Sequence, residues 1–305
     1  MIIDIHTHLG DILHPNGGKL IHRKGVRKKL IIDLVTMSEW GLHRSVAGAQ
    51  DFLYKYASDI ATWAERARNA TATLENMRRS MDEAGVKLTA CMPIAPYLTF
   101  DDLEKARQLD AGVVPFTSVD FDRKYDFESE LKDHVERGAK GLKLHPVIQR
   151  EPLTSKRTYE AVEAFRPFGL PILFHSGVSS YYLGEAKKTQ QVSEFGEIRY
   201  GRELAAAFPD VKFIAGHAGL FQVDDVIEMM AGLKNVSVDT SFQPPEKIRA
   251  LLKAFGPERV MYASDWPYGN RIPSVKTVKA ACKGDSSLQR LIFYENAANL
   301  LGMAS

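Results

Sequence analysis

Histidine and aspartate residues stand at the ends of four apolar, strand-like runs of this sequence. They are His6 and His8 in IIDIHTH, His175 in PILFHSG, His217 in KFIAGHAG and Asp265 in RVMYASDWP. Each run is short and rich in β-branched or aromatic residues, which is typical of a buried strand. Imidazole nitrogens together with a carboxylate are ligands that divalent transition metals favour. If the strand ends meet in space, these side chains can form a metal centre.

Four further strand candidates alternate with helical segments along the chain. They are Val86–Pro93, Gly112–Val119, Gly141–Pro146 and Asn235–Ser241. Because strands that alternate with helices indicate parallel β-α-β units, eight of them in series predict an α/β fold of the closed (β/α)8 TIM-barrel class. The active site of that fold lies at the carboxyl ends of the strands. No repeat or linker interrupts the series, so a single domain over residues 1–305 is expected.

The segment between the first two strands, residues 10–85, is too long to be a loop without structure of its own. Lys28–Trp40 and Phe52–Asp82 have helical patterns, which predict a helical insertion over the barrel mouth. The same segment contains a basic run, Lys19–Lys29. Its simplest interpretation is a solvated surface. The alternative is a lid in which Arg23 or Arg27 binds an anionic substrate.

The overall composition limits the partners that this chain is expected to have. It is 45% hydrophobic and 26% charged, with a formal net charge of +2, which gives no case for binding nucleic acid or membrane. Two cysteines without a CxxC pattern favour a reducing compartment. No signal segment precedes the first motif, and no apolar run has the length of a membrane span. We expect a cytoplasmic protein that acts on a small molecule, as a monomer or a homo-oligomer.

His6 and His8 are two residues apart, so both side chains point to the same face of a strand. On a barrel strand that face is the interior, where two imidazoles at one level can share a metal ion. His175 would complete a set of three nitrogens, and Asp265 would add a carboxylate or take a proton from an attacking water. His217 is interpreted as a group that polarises a substrate carbonyl, with a role as a fifth ligand as the alternative.

The fourth strand candidate carries Lys143 and His145, again two residues apart and on one face. A structural interpretation pairs Lys143 with Asp239 or Asp265. The functional alternatives are a carbamylated lysine that bridges two metal ions, or a cation that holds a substrate carboxylate, with both residues binding substrate. Asp239 is expected to accept a hydrogen bond that orients a neighbouring ligand.

In their order along the chain, these motifs resemble the amidohydrolase superfamily, specifically its amidohydrolase-2 (aminocarboxymuconate-semialdehyde-decarboxylase-like) branch. The resemblance covers nearly the whole length through DIHTH, MDEAGV, KGLKLHP, FHSG, KFIAGHAG, NVSVDTS, ASDWP and ENAANLLG. It implies a (β/α)8 barrel that holds one divalent metal ion, zinc or alternatively manganese. It also implies that the metal ligands are His6, His8, His175 and Asp265, with His217 near the metal-bound water.

The resemblance implies either of two reactions, because members of this branch hydrolyse C–N, ester or C–C bonds or decarboxylate aromatic and unsaturated acids. Lys143 and His145 differ from the best-known decarboxylases and favour hydrolysis. The expected function is a metal-dependent hydrolase that uses a metal-activated water on a small organic acid, lactone, ester or amide. The alternatives are a non-oxidative metal-dependent decarboxylase and a non-catalytic barrel that binds a metal ion and a small ligand.

Overall fold

The computed structural model describes residues 1–29, 33–42, 58–124 and 126–303. The strands among these residues are β1 (Ile3–Thr7), β2 (Leu88–Cys91), β3 (Val113–Pro115), β4 (Thr117–Ser118), β5 (Leu142–Leu144), β6 (Ile172–His175), β7 (Phe213–Gly216), β8 (Val236–Asp239) and β9 (Val260–Met261). Neighbouring strands run parallel in the orders β1-β2-β3 and β4-β5-β6-β7-β8-β9. Only Phe116 separates β3 from β4, so the two together occupy one of eight barrel positions.

Backbone hydrogen bonds close these strands into a barrel. Between the first and last positions, the amide of Ile5 donates to the carbonyl of Tyr262 (3.1 Å), and that of Asp265 donates to the carbonyl of His6 (2.9 Å). The amide of Phe116 donates to the carbonyl of Cys91 (3.0 Å), which continues the barrel where β3 ends. The predicted (β/α)8 barrel is confirmed, and the predicted fourth to eighth strands are β5 to β9.

Helices follow the strands and surround the barrel. The described helices are α1 (Leu34–Leu42), α2 (Ser58–Asn69), α3 (Leu74–Ala84), α4 (Phe100–Leu109), α5 (Phe127–Glu136), α6 (Pro146–Gln149), α7 (Lys156–Phe165), α8 (Gly184–Gln190), α9 (Ile198–Ala207), α10 (Val223–Met230), α11 (Pro245–Phe255), α12 (Arg271–Cys282), α13 (Ser286–Arg290) and α14 (Asn296–Leu300). A π-helical turn, Leu291–Glu295, joins the last two. None of the helices in the described ranges has the length and apolar character needed to cross a membrane.

The segment between β1 and β2 differs in detail from the predicted helices. A helix beginning at Lys28 is wrong, because residues 28 and 29 are not helical and α1 begins at Leu34. The predicted helix Phe52–Asp82 is divided into α2 and α3, and its residues 52–57 lie outside the described residues. The division occurs where the hydroxyl of Thr73 accepts a hydrogen bond from the amide of Asn76 (3.1 Å) and begins a new helix.

Helix α2 lies against loops that follow three of the strands. The hydroxyl of Thr62 donates to the carbonyl of Ser180 (3.2 Å), in the loop after β6. The hydroxyl of Tyr268, in the loop after β9, donates to the side-chain oxygen of Asn69 (3.0 Å), which also accepts from the amide of Ile12 in the loop after β1 (3.3 Å). This helix therefore lies at the carboxyl-terminal end of the barrel.

A β-bulge in β1 decides which of its side chains face the barrel interior. Asp4 pairs with Thr89 and Thr7 with Cys91, so β1 uses one residue more than β2 over this stretch. Ile3 and Ile5 belong to an interior cluster with other barrel residues, among them Ala90, Val114, Phe116, Leu173, Ile214 and Met261. Within the bulged stretch the His6 side chain also points inward, where its Nε2 lies 2.8 Å from Nζ of Lys143, although strict alternation would place it opposite Ile5.

A buried ionic cluster joins α1, α2 and the start of α12. Arg68 donates to both carboxylate oxygens of Asp33 (2.9 and 3.2 Å), and its Nη1 lies 3.6 Å from Oε1 of Glu39. Asn270 donates a hydrogen bond to the other oxygen of Glu39. Burial raises the pKa of Glu39 to about 7, although the charge of Arg68 opposes the shift.

We expect the substitution Glu39→Gln to change how stability depends on pH. When the pKa of a carboxyl group is higher in the folded than in the unfolded state, the protein loses stability as pH rises. The loss extends from the pKa of the unfolded state to the pKa of the folded state, which for Glu39 is about 7. The variant lacks this titration, so it should gain on the order of 1–3 kcal/mol relative to the natural protein between pH 5 and 8. Urea unfolding at several pH values measures the difference. A constant difference between the two proteins would contradict the assignment.

Candidate metal centre

Two histidines of β1 are held by hydrogen bonds at their outer nitrogens. Nδ1 of His6 donates to Oδ2 of Asp239 (2.9 Å), and Nδ1 of His8 donates to the carbonyl of Met92 (3.0 Å). In a neutral imidazole the other nitrogen then has a free lone pair. These Nε2 atoms lie 3.7 Å (His6) and 3.4 Å (His8) from Oδ1 of Asp265. Both rings thus present a ligand nitrogen to the same carboxylate.

Two buried atoms beside these rings have no hydrogen-bond partner among the described residues, Nδ1 of His175 and Oδ1 of Asp265. Nε2 of His175 lies 3.0 Å from the carbonyl of Gly177 and 2.9 Å from the hydroxyl of Ser179. Since a carbonyl only accepts, Nε2 carries the proton and Nδ1 has the lone pair. Unsatisfied polar atoms are costly in a protein interior. A lone pair and a carboxylate oxygen left in this way are what a divalent cation would satisfy.

His217 lies within the same cluster. Its ring stacks on that of His6 with a centroid separation of 4.6 Å, and its Nδ1 is 4.0 Å from Oδ2 of Asp265. His6, His217 and Asp265 each have one possible ligand atom, and these three atoms lie within 4.8 Å of one another. His217 therefore belongs, with His6 and Asp265, to a group of ligand atoms that lie close enough together to hold one metal ion.

Lys143 points into the centre from β5, where it is fully buried. Its Nζ lies 2.8 Å from Nε2 of His6, so the lysine donates a hydrogen bond to the lone pair of that ring. Burial lowers the pKa of Lys143 to about 7, although the charges of Asp265 and Asp239 act in the opposite direction. One lone pair serves one partner, so this hydrogen bond and metal binding at His6 exclude each other.

His145, two residues after Lys143, stacks on His175 with a centroid distance of 4.3 Å and an interplanar angle of 13°. Its Nδ1 accepts from the amide of Ile148 (3.3 Å), and its Nε2 lies 3.2 Å from the hydroxyl of Tyr181. A neutral ring that accepts at Nδ1 carries its proton on Nε2. His145 is therefore arranged to donate a hydrogen bond at the edge of the centre.

The backbone is held in an uncommon conformation at two of the site residues. His217 and Asp265 have φ angles of 60° and 54°, in the left-handed region that residues other than glycine rarely adopt. The side chain of Gln243 donates to the carbonyl of His217 (2.8 Å) and to that of Leu220 (2.8 Å), which holds the loop after β7. Such conformations cost on the order of 1–3 kcal/mol and are concentrated at functional sites.

Burial controls the charge state of the whole centre. It lowers the pKa of the imidazoles well below the ordinary value, and for His175 to about 3. It also raises the pKa of Asp265 well above that of an exposed carboxyl, although the charge of Lys143 opposes the shift. Neutral imidazoles keep their lone pairs, so the rings are in the form that binds a cation.

The structure brings together all but one of the side chains that the sequence analysis selected. His6, His8, His175, His217, Asp265, Lys143 and His145 are buried at the carboxyl ends of β1, β5, β6, β7 and β9. Arg23 is exposed before α1, and its binding of an anionic substrate stays a prediction.

Two further residues near the centre were not selected from the sequence. Ser241 contacts His217 (2.8 Å) and stands in the motif NVSVDTS, two residues after Asp239, so its position at a strand end was the available signal. Glu65 is partly buried on α2 between Thr62 and Asn69, on the face that contacts the barrel loops. No local motif marks Glu65, because its position depends on how α2 packs.

The comparisons with known proteins agree with this architecture. The family model described as Amidohydrolase, for the amidohydrolase-2 family, matches residues 3–303. No curated protein matches the chain. An uncharacterised TIM-barrel protein from Bordetella bronchiseptica is similar with a TM-score of 0.66 and 14% identity, covering 99% of this chain and 98% of that one.

Two solved enzyme structures have the same fold. A 5-carboxyvanillate decarboxylase from Novosphingobium aromaticivorans, complexed with manganese and 4-hydroxy-3-methoxy-5-nitrobenzoic acid, has a TM-score of 0.63 and 16% identity, covering 99% of this chain and 96% of that one. A probable 2-pyrone-4,6-dicarboxylic acid hydrolase from Acinetobacter baumannii, with citric acid bound, has a TM-score of 0.58 and 13% identity, covering 99% of both chains. At these identities the likeness concerns the fold.

The family match extends over almost the whole chain, and the buried histidine–aspartate centre lies where this fold carries its active site. The chain belongs to the amidohydrolase-2 family of the amidohydrolase superfamily and is an enzyme of that type.

Proposed function

We propose that this protein is a metal-dependent hydrolase of a small organic acid, lactone, ester or amide. In this proposal His6, His8, His175 and Asp265 bind one divalent metal ion. The observation that supports the proposal is a pair of buried atoms that have no hydrogen-bond partner within the described ranges, Nδ1 of His175 and Oδ1 of Asp265, beside the Nε2 atoms of His6 and His8. Zinc is the proposed metal and manganese the alternative, since manganese is bound in a similar structure. The proposal retains the cytoplasmic location expected from the sequence.

A divalent ion in such a site supplies Lewis acidity toward a substrate oxygen and toward water. The protein's own residues would then supply the proton transfers and the binding contacts. The carboxylate of Asp265 would accept a proton from the attacking water, because it lies beside both imidazoles of β1. His217, 4.0 Å from that carboxylate, is placed to act on the substrate beside it.

The substrate is proposed to bind between Lys143, His145 and the loops that α2 contacts. His145 offers an N–H, and Lys143 offers an amine that carries a positive charge when protonated, so both suit a carboxylate or carbonyl oxygen. Glu65 of α2 is assigned to the same end of the site, because its charge contributes to the raised pKa of Asp265. Burial raises the pKa of Glu65 to about 8, so its carboxyl group would be largely protonated at neutral pH and able to donate.

The first test is the metal content of the purified full-length protein, measured by elemental mass spectrometry before and after chelation. We expect one equivalent of divalent metal, whose removal abolishes turnover and lowers the melting temperature, because a ligand that binds only the folded state stabilises it. Two equivalents would assign Lys143 as a bridging ligand and His217 as a further ligand. A protein that binds no metal under any reconstitution would disprove the proposal.

The reaction is tested separately with matched substrates. Lactones, esters and amides of small organic acids are compared with aryl carboxylates, for which carbon dioxide release is measured. Metal-dependent hydrolysis supports the proposal. Carbon dioxide release without hydrolysis would instead identify a decarboxylase that uses the same ligands, the activity named for one of the similar structures. Metal binding without turnover on the whole panel would favour the non-catalytic alternative.

A further inference from the structure

A chain of hydrogen bonds connects His217 to the carboxylate that holds His6. Nδ1 of His217 lies 2.8 Å from the hydroxyl oxygen of Ser241, and that hydroxyl donates to Oδ1 of Asp239 (2.6 Å). The amide of Ser241 donates to the same oxygen (3.0 Å), while Oδ2 of Asp239 accepts from Nδ1 of His6 (2.9 Å). One carboxylate at the end of β8 therefore faces two imidazoles, one directly and one through a serine.

The direction of each hydrogen bond follows from the number of protons available. The hydroxyl of Ser241 has a single proton, and at 2.6 Å from a carboxylate oxygen it donates there. The serine oxygen can then only accept from His217, so Nδ1 of His217 must carry a proton. The neutral ring has its free lone pair on Nε2.

The surroundings hold this arrangement rigidly. Ser241 and Asp239 are fully buried, and His217 is 3% exposed, so water does not compete for these hydrogen bonds. The side chain of Gln243 fixes the His217 carbonyl (2.8 Å), and the stacked ring of His6 limits rotation of the imidazole. A flipped ring would lose the bond to Ser241.

We propose that Ser241 is a positioning residue that fixes His217 in the Nδ1–H tautomer, and that Asp239 thereby orients both the metal-site imidazole of His6 and His217. His217 then acts through the lone pair of Nε2, as a proton acceptor. A neutral His217 in this state does not donate a hydrogen bond from Nε2 to a substrate carbonyl, the role favoured by the sequence analysis. The inference rests on the proposed function only for the catalytic consequence; the tautomer is independent of turnover.

The tautomer is measured directly by nitrogen-15 NMR of the full-length protein with labelled histidine, as purified and after chelation. The His217 signals are assigned with His217→Gln. We expect Nδ1 to be protonated and Nε2 unprotonated in the natural protein in both states. In Ser241→Ala after chelation, the preference for Nδ1–H should weaken or reverse. An Nε2–H tautomer in the natural protein, or a tautomer that Ser241→Ala leaves unchanged after chelation, would overturn the inference.

Activity provides a second measurement that separates positioning from packing. Ser241→Ala should lower kcat about 10- to 100-fold, the range found for residues that orient a ligand or catalytic group, while metal content is retained. Ser241→Thr keeps a hydroxyl and should recover most of the activity. Ser274→Ala, which removes a hydroxyl bonded to the Asn270 carbonyl on α12 (2.8 Å), is the matched control and should behave as the natural protein.

The two possible failures have different signatures. If Ser241→Ala loses metal together with activity, Ser241 supports the metal site rather than His217, and the inference is wrong. If the natural protein has the expected tautomer but neither metal nor turnover, the proposed function fails while the assignment of Ser241 stands. Asp239→Asn should lower metal content and activity together, because an amide offers a single acceptor atom to His6 and Ser241.

Discussion

Replacing Asp265 by asparagine is expected to lower kcat/KM at least about 10³-fold while leaving the protein folded. The carboxylate oxygen Oδ1 lies 3.4 Å from Nε2 of His8 and 3.7 Å from Nε2 of His6, and it accepts no hydrogen bond from the part of the chain that the structure describes. An amide of the same shape has no charge to attract a metal ion and cannot take a proton from water. Loss of a general base alone costs about 10²–10⁴-fold in rate, and weaker metal binding adds to this.

We expect Asp265→Asn to lower the activity of the protein without lowering its free energy of unfolding. Burial disfavours the ionised form of Asp265 and raises its pKa well above the usual value. Removing that charge should leave the chelated protein as stable as the natural protein or more so, which is typical of residues kept for function. Kinetics, metal content and urea unfolding of the chelated proteins test the combination.

The matched control is Asp210→Asn, an identical change at an exposed carboxylate that pairs with Arg166 (2.7 Å). This variant should retain full activity and metal. If Asp265→Asn also kept activity within a few fold of the natural enzyme, the assigned centre would be wrong. If it lost activity only by unfolding, a structural role for Asp265 would be the better explanation.

The identities of the site residues could be predicted because each stands next to a strand, and parallel strands must bring their carboxyl ends to one place. His175 directly ends β6, and Asp265 follows β9 by four residues. The pattern of apolar residues was therefore enough to locate the strands and the edge of the barrel where chemistry would occur. The strands and this edge of the barrel could both be located without knowing which residues contact each side chain.

Features that depend on tertiary contacts could not be predicted in this way. The bulge that turns His6 inward is a property of the pairing between β1 and β2, and alternation alone places Ile5 and His6 on opposite faces. The sequence pattern does not reveal helix α12, because the helix is buried on several sides, with Val275, Thr277 and Val278 all buried, and therefore has no single apolar stripe. The role of Ser241 follows only from the position of His217, which is 24 residues earlier in the sequence.

Replacing Arg271 by leucine is expected to destabilise the protein by about 3–5 kcal/mol, the cost of leaving a buried charge without its partner. Arg271 is 1% exposed, and its Nε donates to Oδ2 of Asp4 (3.0 Å). Its Nη2 donates to the hydroxyl of Thr89 (3.0 Å), and its guanidinium lies 5.0 Å from the ring of Trp266. This side chain of α12 thus joins β1, β2 and the loop after β9.

Leucine fills part of the same volume but leaves the carboxylate of Asp4, which is fully buried, with only the hydrogen bonds of Ser264. Adding Asp4→Asn to Arg271→Leu should therefore recover part of the loss, because it removes the unpaired charge. Lys247→Leu, which breaks a surface pair with Asp224 (2.8 Å), should cost less than about 1 kcal/mol. Urea unfolding of the chelated proteins measures all three differences. A small loss in Arg271→Leu, unchanged by Asp4→Asn, would mean that the charge of Asp4 does not depend on Arg271.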